Sequence, residues 1–247
     1  MSLVVKILTK FWMLFFLLSI AAIGLTFCIT LYFPVYALAA VLPRLRHWPD
    51  KIMHGGIRLL MWVQPWLAAD VAIDLPRMGQ QGVLLVSNHR SHLDVFILLS
   101  RIPGIRILAK STLFKVPFLG LMMRASRQIG VPRGQLGSWV LAMDEVKRRL
   151  LQGETVHVFP EMTRCTLGFK GIQPFTAGPF LAAIQGRAVV VPMVIKDTDQ
   201  TWPKGQMGLY FRRPLQVRTL TPLKAGDFMT ADQLKVAVQM QIEQALQ

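Results

Sequence analysis

The 247-residue sequence predicts an α/β domain, a mixed and largely parallel sheet flanked by helices, set behind an apolar helical N-terminal segment. Two observations carry this. From about residue 70 onward, short apolar runs alternate with longer mixed segments, the pattern of strands joined by crossover helices. Ahead of that point lies an uncharged stretch too long for a signal peptide and without a small-residue cleavage pattern. The expected division is an N-terminal membrane-embedded or interfacial segment over 1–70 and the α/β domain over 71–247.

No charged residue occurs from Phe11 to Pro43; Lys6 and Lys10 precede the stretch, and Arg44, Arg46 and Lys51 follow it. As one straight helix it would run about 50 Å, against a hydrocarbon core of about 30 Å, and two full spans would need about 40 apolar residues. Pro34 is the expected break point. Positive residues at both ends favour a bent hairpin with both ends on the cytoplasmic side. A second apolar stretch, Ile57 to Ala69, carries Trp62 and Trp66. It reads either as an interfacial helix, where tryptophan is favoured, or as a core helix of the main domain.

Strands are predicted over 82–87, 105–109, 155–159, 188–195 and 215–220. Helical patterns fall between them, over 92–100, 112–126, 135–151 and 176–185, with a last helix over about 230–246.

Hydrophobic residues make up 53% and charged residues 17% of the chain, against about 25% charged in ordinary soluble domains. A net charge of +15 calls for an acidic partner: nucleic acid, an anionic membrane or phosphorylated substrates. The basic residues are scattered, the densest groups being Lys147–Arg149 and Arg212–Arg213, and no nucleic-acid-binding motif is visible, so no nucleic-acid partner is expected. Anionic lipids fit better, attracting basic residues near the surface by about 1 kcal/mol each. Cys28 and Cys165 suggest no disulfide framework, and a reducing cytosolic setting follows for the main domain.

The informative stretch is Ser87-Asn88-His89-Arg90-Ser91-His92-Leu93-Asp94, which follows a strand and opens a helix. His89 and Asp94 lie on different faces of a regular helix, so they meet only if His89 sits in the loop and Asp94 in the first turn. A carboxylate there fixes the imidazole tautomer and makes His89 a candidate general base. Ser91-x-x-Asp94 is equally a capping box, which gives Asp94 a structural role. His89 and His92 have two residues between them where a metal-hydrolase HxHxDH pattern needs one, so no metal site is expected. In Phe159-Pro160-Glu161-Met162-Thr163-Arg164, after the third strand, the arginine is able to clamp a phosphate.

Together these stretches resemble the glycerophospholipid acyltransferase family. His89, four residues and Asp94 look like its first signature, and Phe159–Arg164 is similar to its third, FPEGTR. Lys110, Leu113, Pro117, Gly120, Gly130 and Arg133 match the second in outline, and Val191–Val194 resembles the fourth. The apolar N-terminus is similar to the membrane-docking helices of the bacterial enzymes. Two positions depart: the family's glycine is Met162, implying either ordinary dihedrals or a reshaped acceptor pocket, and its serine is Cys165.

The resemblance implies a membrane-bound O-acyltransferase that uses acyl-CoA or acyl-carrier protein as co-substrate and needs no metal or other cofactor. His89 would deprotonate the sn-2 hydroxyl of a lysophospholipid acceptor, 1-acylglycerol 3-phosphate, with Asp94 in support. Lys110, Arg133, Thr163 and Arg164 would hold the acceptor, and Glu161 would position Arg164 or contact the glycerol. The implied location is the inner membrane, with the catalytic domain on its cytoplasmic face. The departures keep open the same chemistry on glycerol 3-phosphate or a lyso-aminolipid, and a non-catalytic lipid-binding protein is the reading from another class.

Overall fold

In the computed structural model, which describes residues 3–64, 69–76, 81–132, 136–210 and 215–247, Pro34 does not break the N-terminal helix. Helix α1 (Leu3–Phe27) runs through a π turn (Cys28–Tyr32) into α2 (Phe33–Val41). Proline has no N–H to give, and its ring crowds the carbonyl four residues back. The wider turn just ahead of it loosens that spacing and leaves Pro34 in the first turn of α2. The expected hairpin is therefore replaced by one apolar helix of 38 residues, Val4–Val41, about 57 Å long at 1.5 Å per residue.

One stripe of this helix faces the rest of the protein. Thr9, Met13 and Phe16 are buried, at the three- and four-residue spacing of a helix face. The Phe16 ring meets the edges of Phe96 and Trp202, each with centroids 5.7 Å apart. Farther along, the Tyr32 hydroxyl donates to the Met122 carbonyl at 3.2 Å. Val4, Ile7, Phe11, Leu14, Leu18 and Leu25 are exposed, a contiguous apolar face that suits lipid better than water.

Helix α3 (Trp48–Trp62) starts earlier than the apolar stretch at 57–69 and ends before it does. It buries Ile52, Met53 and Leu60 while exposing Leu59 and Trp62, so it serves partly as a core helix. Trp66 lies outside the described residues. Strand β1 (Ala69–Ala72) follows, where no strand was expected.

The five expected strands are present as β2 (Val83–Ser87), β3 (Arg106–Lys110), β5 (Thr155–Val158), β6 (Val189–Lys196) and β7 (Leu215–Thr219). To these the structure adds β1, β4 (Ile129–Val131) and β8 (Leu223–Lys224). Two to four residues are too few to show a period in the sequence. The order is β1-β7-β6-β2-β5-β3-β4, with β8 also against β6. Strands β6, β2, β5, β3 and β4 pair in parallel, and β7 and β8 run antiparallel to β6.

Helices α4 (Leu93–Arg101), α6 (Leu136–Leu151), α7 (Gly178–Gln185) and α9 (Ala231–Leu246) correspond to the expected helices. The helix expected over 112–126 is split: a 3₁₀ turn (Ser111–Lys115) precedes α5 (Leu119–Ala125). Pro117 forces the residue before it out of helical dihedrals. A short α8 (Thr198–Thr201) follows β6.

Both sheet faces are covered, as a parallel sheet requires. Leu84, Val156, Val158 and Val190 pack on one face with Val146, Phe180 and Val238 from α6, α7 and α9. Leu85, Ile107 and Val191 pack on the other with Leu93 and Ile97 from α4. Met13 and Phe16 of α1 belong to that second core. Buried Arg106 ties α3 to the sheet, pairing with Asp50 at 2.7 Å and Glu154 at 2.8 Å.

Candidate active site

Neighbouring strands β2, β5 and β3 all end on one edge of the sheet, the edge where ligand sites of parallel sheets collect. At the end of β2, Asn88 substitutes for a ladder partner. Its amide donates to the Ile195 carbonyl and its carbonyl oxygen accepts the Ile195 N–H, both at 2.8 Å. That anchor on β6 turns the chain and presents His89.

The His89 peptide is held at both of its polar groups by the loop after β5. Its N–H donates to Glu161 Oε1 at 2.7 Å, and its carbonyl accepts the Cys165 N–H at 3.0 Å. The ring lies on Phe159, centroids 3.8 Å apart and planes 18° from parallel. Nδ1 is 2.9 Å from Asp94 Oδ2. The same oxygen accepts the N–H groups of Arg90 at 2.7 Å and Ser91 at 2.9 Å. Asp94 thus partners the imidazole and gives half of the expected capping box, since its carboxylate accepts the Ser91 N–H while the Ser91 hydroxyl turns to the Trp202 carbonyl instead of the Asp94 N–H. A carboxylate oxygen has only lone pairs to offer, so Nδ1 carries the proton and Nε2 keeps a lone pair. The His89 side chain is 16% exposed and that of Asp94 0%, so the base reaches solvent while its partner is sealed.

Beneath the pair, His157 of β5 was not singled out in the sequence, where it reads as one residue of an apolar strand. It is fully buried, with Nε2 2.9 Å from Ser87 Oγ. Burial, and then the positive charge His89 is able to carry, push its pKa down to about 3, so it is neutral. Its ring meets Phe159 edge-on at 4.4 Å, which leaves Phe159 between the two imidazoles.

Arg90 fastens the loop after β5. Its guanidinium donates to the carbonyls of Phe169 at 3.3 Å and Gly171 at 3.2 Å and lies 3.5 Å from Asp199 Oδ2. Cys165 Sγ is 3.8 Å from Arg90 Nη1, and burial pushes its thiol up to about 11. A thiol held protonated is a poor nucleophile.

In this loop one of the two expected alternatives is not seen at Glu161 and at Met162. Glu161 does not position Arg164: both its oxygens accept backbone N–H groups, Oε1 from His89 and Oε2 from Gln173 at 2.9 Å. A carboxylate has two oxygens to give, and here they stitch two loop segments together. Met162 does not have ordinary dihedrals: its φ is 58°, in the left-handed region that a glycine occupies at low cost. The residue is 39% exposed, so its side chain points outward.

Thr163 Oγ1 accepts from Lys204 Nζ at 3.0 Å. Arg164 is half-buried, and burial lowers its pKa without removing its charge. After burial, Arg164 is the largest influence holding His92 below its ordinary value, which places a positive charge beside the first signature. Among the described residues no carboxylate is paired with Arg164, which leaves its charge for an anion. Lys110 ends β3 on the same sheet edge and is exposed, and no hydrogen bond or ion pair among the described residues joins it to His89 or to the loop after β5. Arg133 lies outside the described residues.

Residues 71–196 match the family described as Acyltransferase. A 1-acyl-sn-glycerol-3-phosphate acyltransferase of Cocos nucifera is 26% identical over 190 residues, covering 73% of this chain and 60% of that protein. One of Saccharomyces cerevisiae is 28% identical over 173 residues, covering 64% and 57%. The chain thus spans about three-fifths of the length of these relatives. The crystal structure of the 1-acyl-sn-glycerophosphate (LPA) acyltransferase PlsC of Thermotoga maritima superposes with a TM-score of 0.77 at 22% identity, covering 98% of this chain and 95% of that one. The two share a fold.

Proposed function

The chain belongs to the Acyltransferase family, and from that premise we propose that it is a membrane-bound O-acyltransferase. It moves a fatty acyl group from acyl-CoA or acyl-carrier protein to the sn-2 hydroxyl of 1-acylglycerol 3-phosphate, giving phosphatidic acid. The observation that carries the reading is the 2.9 Å bond between His89 and a sealed Asp94, which leaves Nε2 as the basic nitrogen.

In this mechanism Nε2 takes the proton of the acceptor hydroxyl as its oxygen attacks the thioester carbonyl. The C–S bond then breaks, and the imidazolium returns the proton to the departing thiolate. Asp94 stabilises the imidazolium between the two steps. No acyl-enzyme forms, in keeping with the protonated Cys165. Arg164 holds the acceptor phosphate, with Thr163 beside it and Lys110 and Arg133 as further contributors.

The exposed apolar face of Val4–Val41 supports a lipid setting, and the +15 charge supports a catalytic domain on the anionic cytoplasmic face of the inner membrane. The relatives named as 1-acyl-sn-glycerol-3-phosphate acyltransferases support this acceptor. One observation favours a second acceptor, glycerol 3-phosphate or a lyso-aminolipid: the outward Met162 side chain adds bulk where the family has none.

The test is acyl transfer by purified protein in mixed micelles, with each donor and each acceptor. The reading requires phosphatidic acid from the wild type, loss of about 10³-fold or more in His89→Ala and in Asp94→Asn, and weakened acceptor binding in Arg164→Ala. Transfer to a lyso-aminolipid alone would replace the acceptor and keep the chemistry. Full activity in His89→Ala would remove the catalytic assignment of His89, and no transfer to any acceptor would leave a lipid-binding protein.

A further inference from the structure

We propose that Lys204 is a second cation for the phosphate of the acceptor and selects a phosphate monoester over a phosphodiester. The inference rests on the acyl-transfer reading above and extends it to a residue outside all four signatures.

Lys204 lies 40 residues beyond Arg164 in sequence, yet its ammonium sits on the third signature: Nζ is 2.8 Å from the Arg164 carbonyl and 3.0 Å from Thr163 Oγ1. An ammonium has three N–H donors, and these contacts use two. The side chain is exposed, so the third donor is open to an arriving ligand.

The segment carrying Lys204 is pinned along its length. Asp199 lies 3.5 Å from Arg90, and the Trp202 carbonyl accepts the Ser91 hydroxyl at 2.9 Å. The Trp202 indole N–H donates to the Gln206 carbonyl at 3.2 Å, and the Tyr210 N–H donates to the Thr201 carbonyl at 2.8 Å. The Leu209 N–H reaches back to the Thr9 carbonyl of α1 at 3.3 Å. Gly205, with φ at 78°, closes the turn directly after the lysine. A side chain serving only to cap one loop carbonyl would not need a turn anchored on the first signature and on α1 together.

Lys204 thereby adds a second positive charge to the loop that carries Arg164. A phosphate monoester carries about −1.5 to −2 at neutral pH, with its second ionisation near pH 6. A phosphodiester carries one charge, and a zwitterionic headgroup has no net charge to match the pair.

The experiment compares wild type, Lys204→Gln and Lys204→Arg, with Lys224→Gln as a control for loss of charge elsewhere on the surface. Thermal melting of each checks the fold. In Lys204→Gln the KM for 1-acylglycerol 3-phosphate should rise about tenfold, as for loss of one charge-assisted contact. Its kcat and donor KM should stay within twofold, and Lys204→Arg should restore most of the loss. The wild-type KM should climb below about pH 6 as the phosphate loses its second charge, and the variant should follow less steeply. A change in kcat alone, an equal rise in donor KM, or no change overturns the proposal. Phosphorus-31 line broadening of micellar 1-acylglycerol 3-phosphate reads binding without turnover. If the wild type broadens the line more than Lys204→Gln does but transfers no acyl group, acyl transfer falls and the lysine assignment stands. If transfer is normal and the two proteins broaden the line equally, the lysine assignment falls alone.

Discussion

Glu161 holds His89 by its peptide N–H, at 2.7 Å, and leaves the imidazole to Asp94. Burial raises the Glu161 carboxyl above its ordinary value, while the N–H groups of Gln173 and His89 pull it back. A glutamine at this position offers one carbonyl oxygen for two donors. Glu161→Gln should therefore leave a buried N–H facing an amide N–H, at a cost of about 1–3 kcal/mol. Urea unfolding should show that loss, and kcat should fall with the acceptor KM little changed. A raised acceptor KM at normal kcat would make Glu161 a substrate contact instead.

Cys165→Ser should keep activity within about twofold, because serine preserves a small polar side chain beside Arg90 and the thiol is not used. Iodoacetamide should label Cys165 slowly at neutral pH, since its thiol titrates only at about 11. Loss of activity by two or more orders of magnitude would call for a covalent acyl-enzyme.

The left-handed backbone at Met162, φ 58°, makes that position sensitive to side-chain branching. Met162→Gly should be tolerated in stability and activity. Met162→Val should cost about 1–2 kcal/mol, since β-branched residues fit this region badly. Thermal melting of the pair checks this, and equal melting of the two variants would mean that the loop relaxes to ordinary dihedrals.

His157 should make the fold acid-sensitive. Between its ordinary value of 6.5 and about 3, the unfolded chain binds a proton that the folded chain refuses. Stability supplied by the neutral ring is therefore fully present above pH 6.5 and is lost as pH falls toward 3. Glu161 and Asp199, both raised by burial, act in the opposite sense. The difference between wild type and His157→Gln isolates the histidine: it should shrink steadily from pH 6.5 to 4 in urea titrations, and a flat difference would refute a neutral buried His157.

Much of this was legible because it is written in periods and spacings. The apolar runs at Val83–Ser87 and Val189–Lys196 are buried on both faces and announce central strands. The five-residue step from His89 to Asp94 announces a loop residue meeting a first-turn residue. Contacts between distant segments were not legible. Nothing near Lys204 in the sequence marks its approach to Thr163, and nothing marks the seat of Phe16 between Phe96 and Trp202. The contacts of Glu161 were not legible either, because its partners are backbone N–H groups, which every residue has and no motif displays. Pro34 misled because proline predicts a break only where the preceding turn cannot widen.

The burial of Met13 and Phe16 in the same core as Leu85 and Val191 has a consequence for biosynthesis. The ribosome delivers α1 first, nearly two hundred residues before the last strand of that core. In the proposed membrane setting, Phe16 waits in lipid until Phe96 and Trp202 arrive to receive it, so that membrane capture and folding are coupled through one aromatic ring. A chain trimmed of α1 would lose a piece of its own interior along with its exposed apolar face.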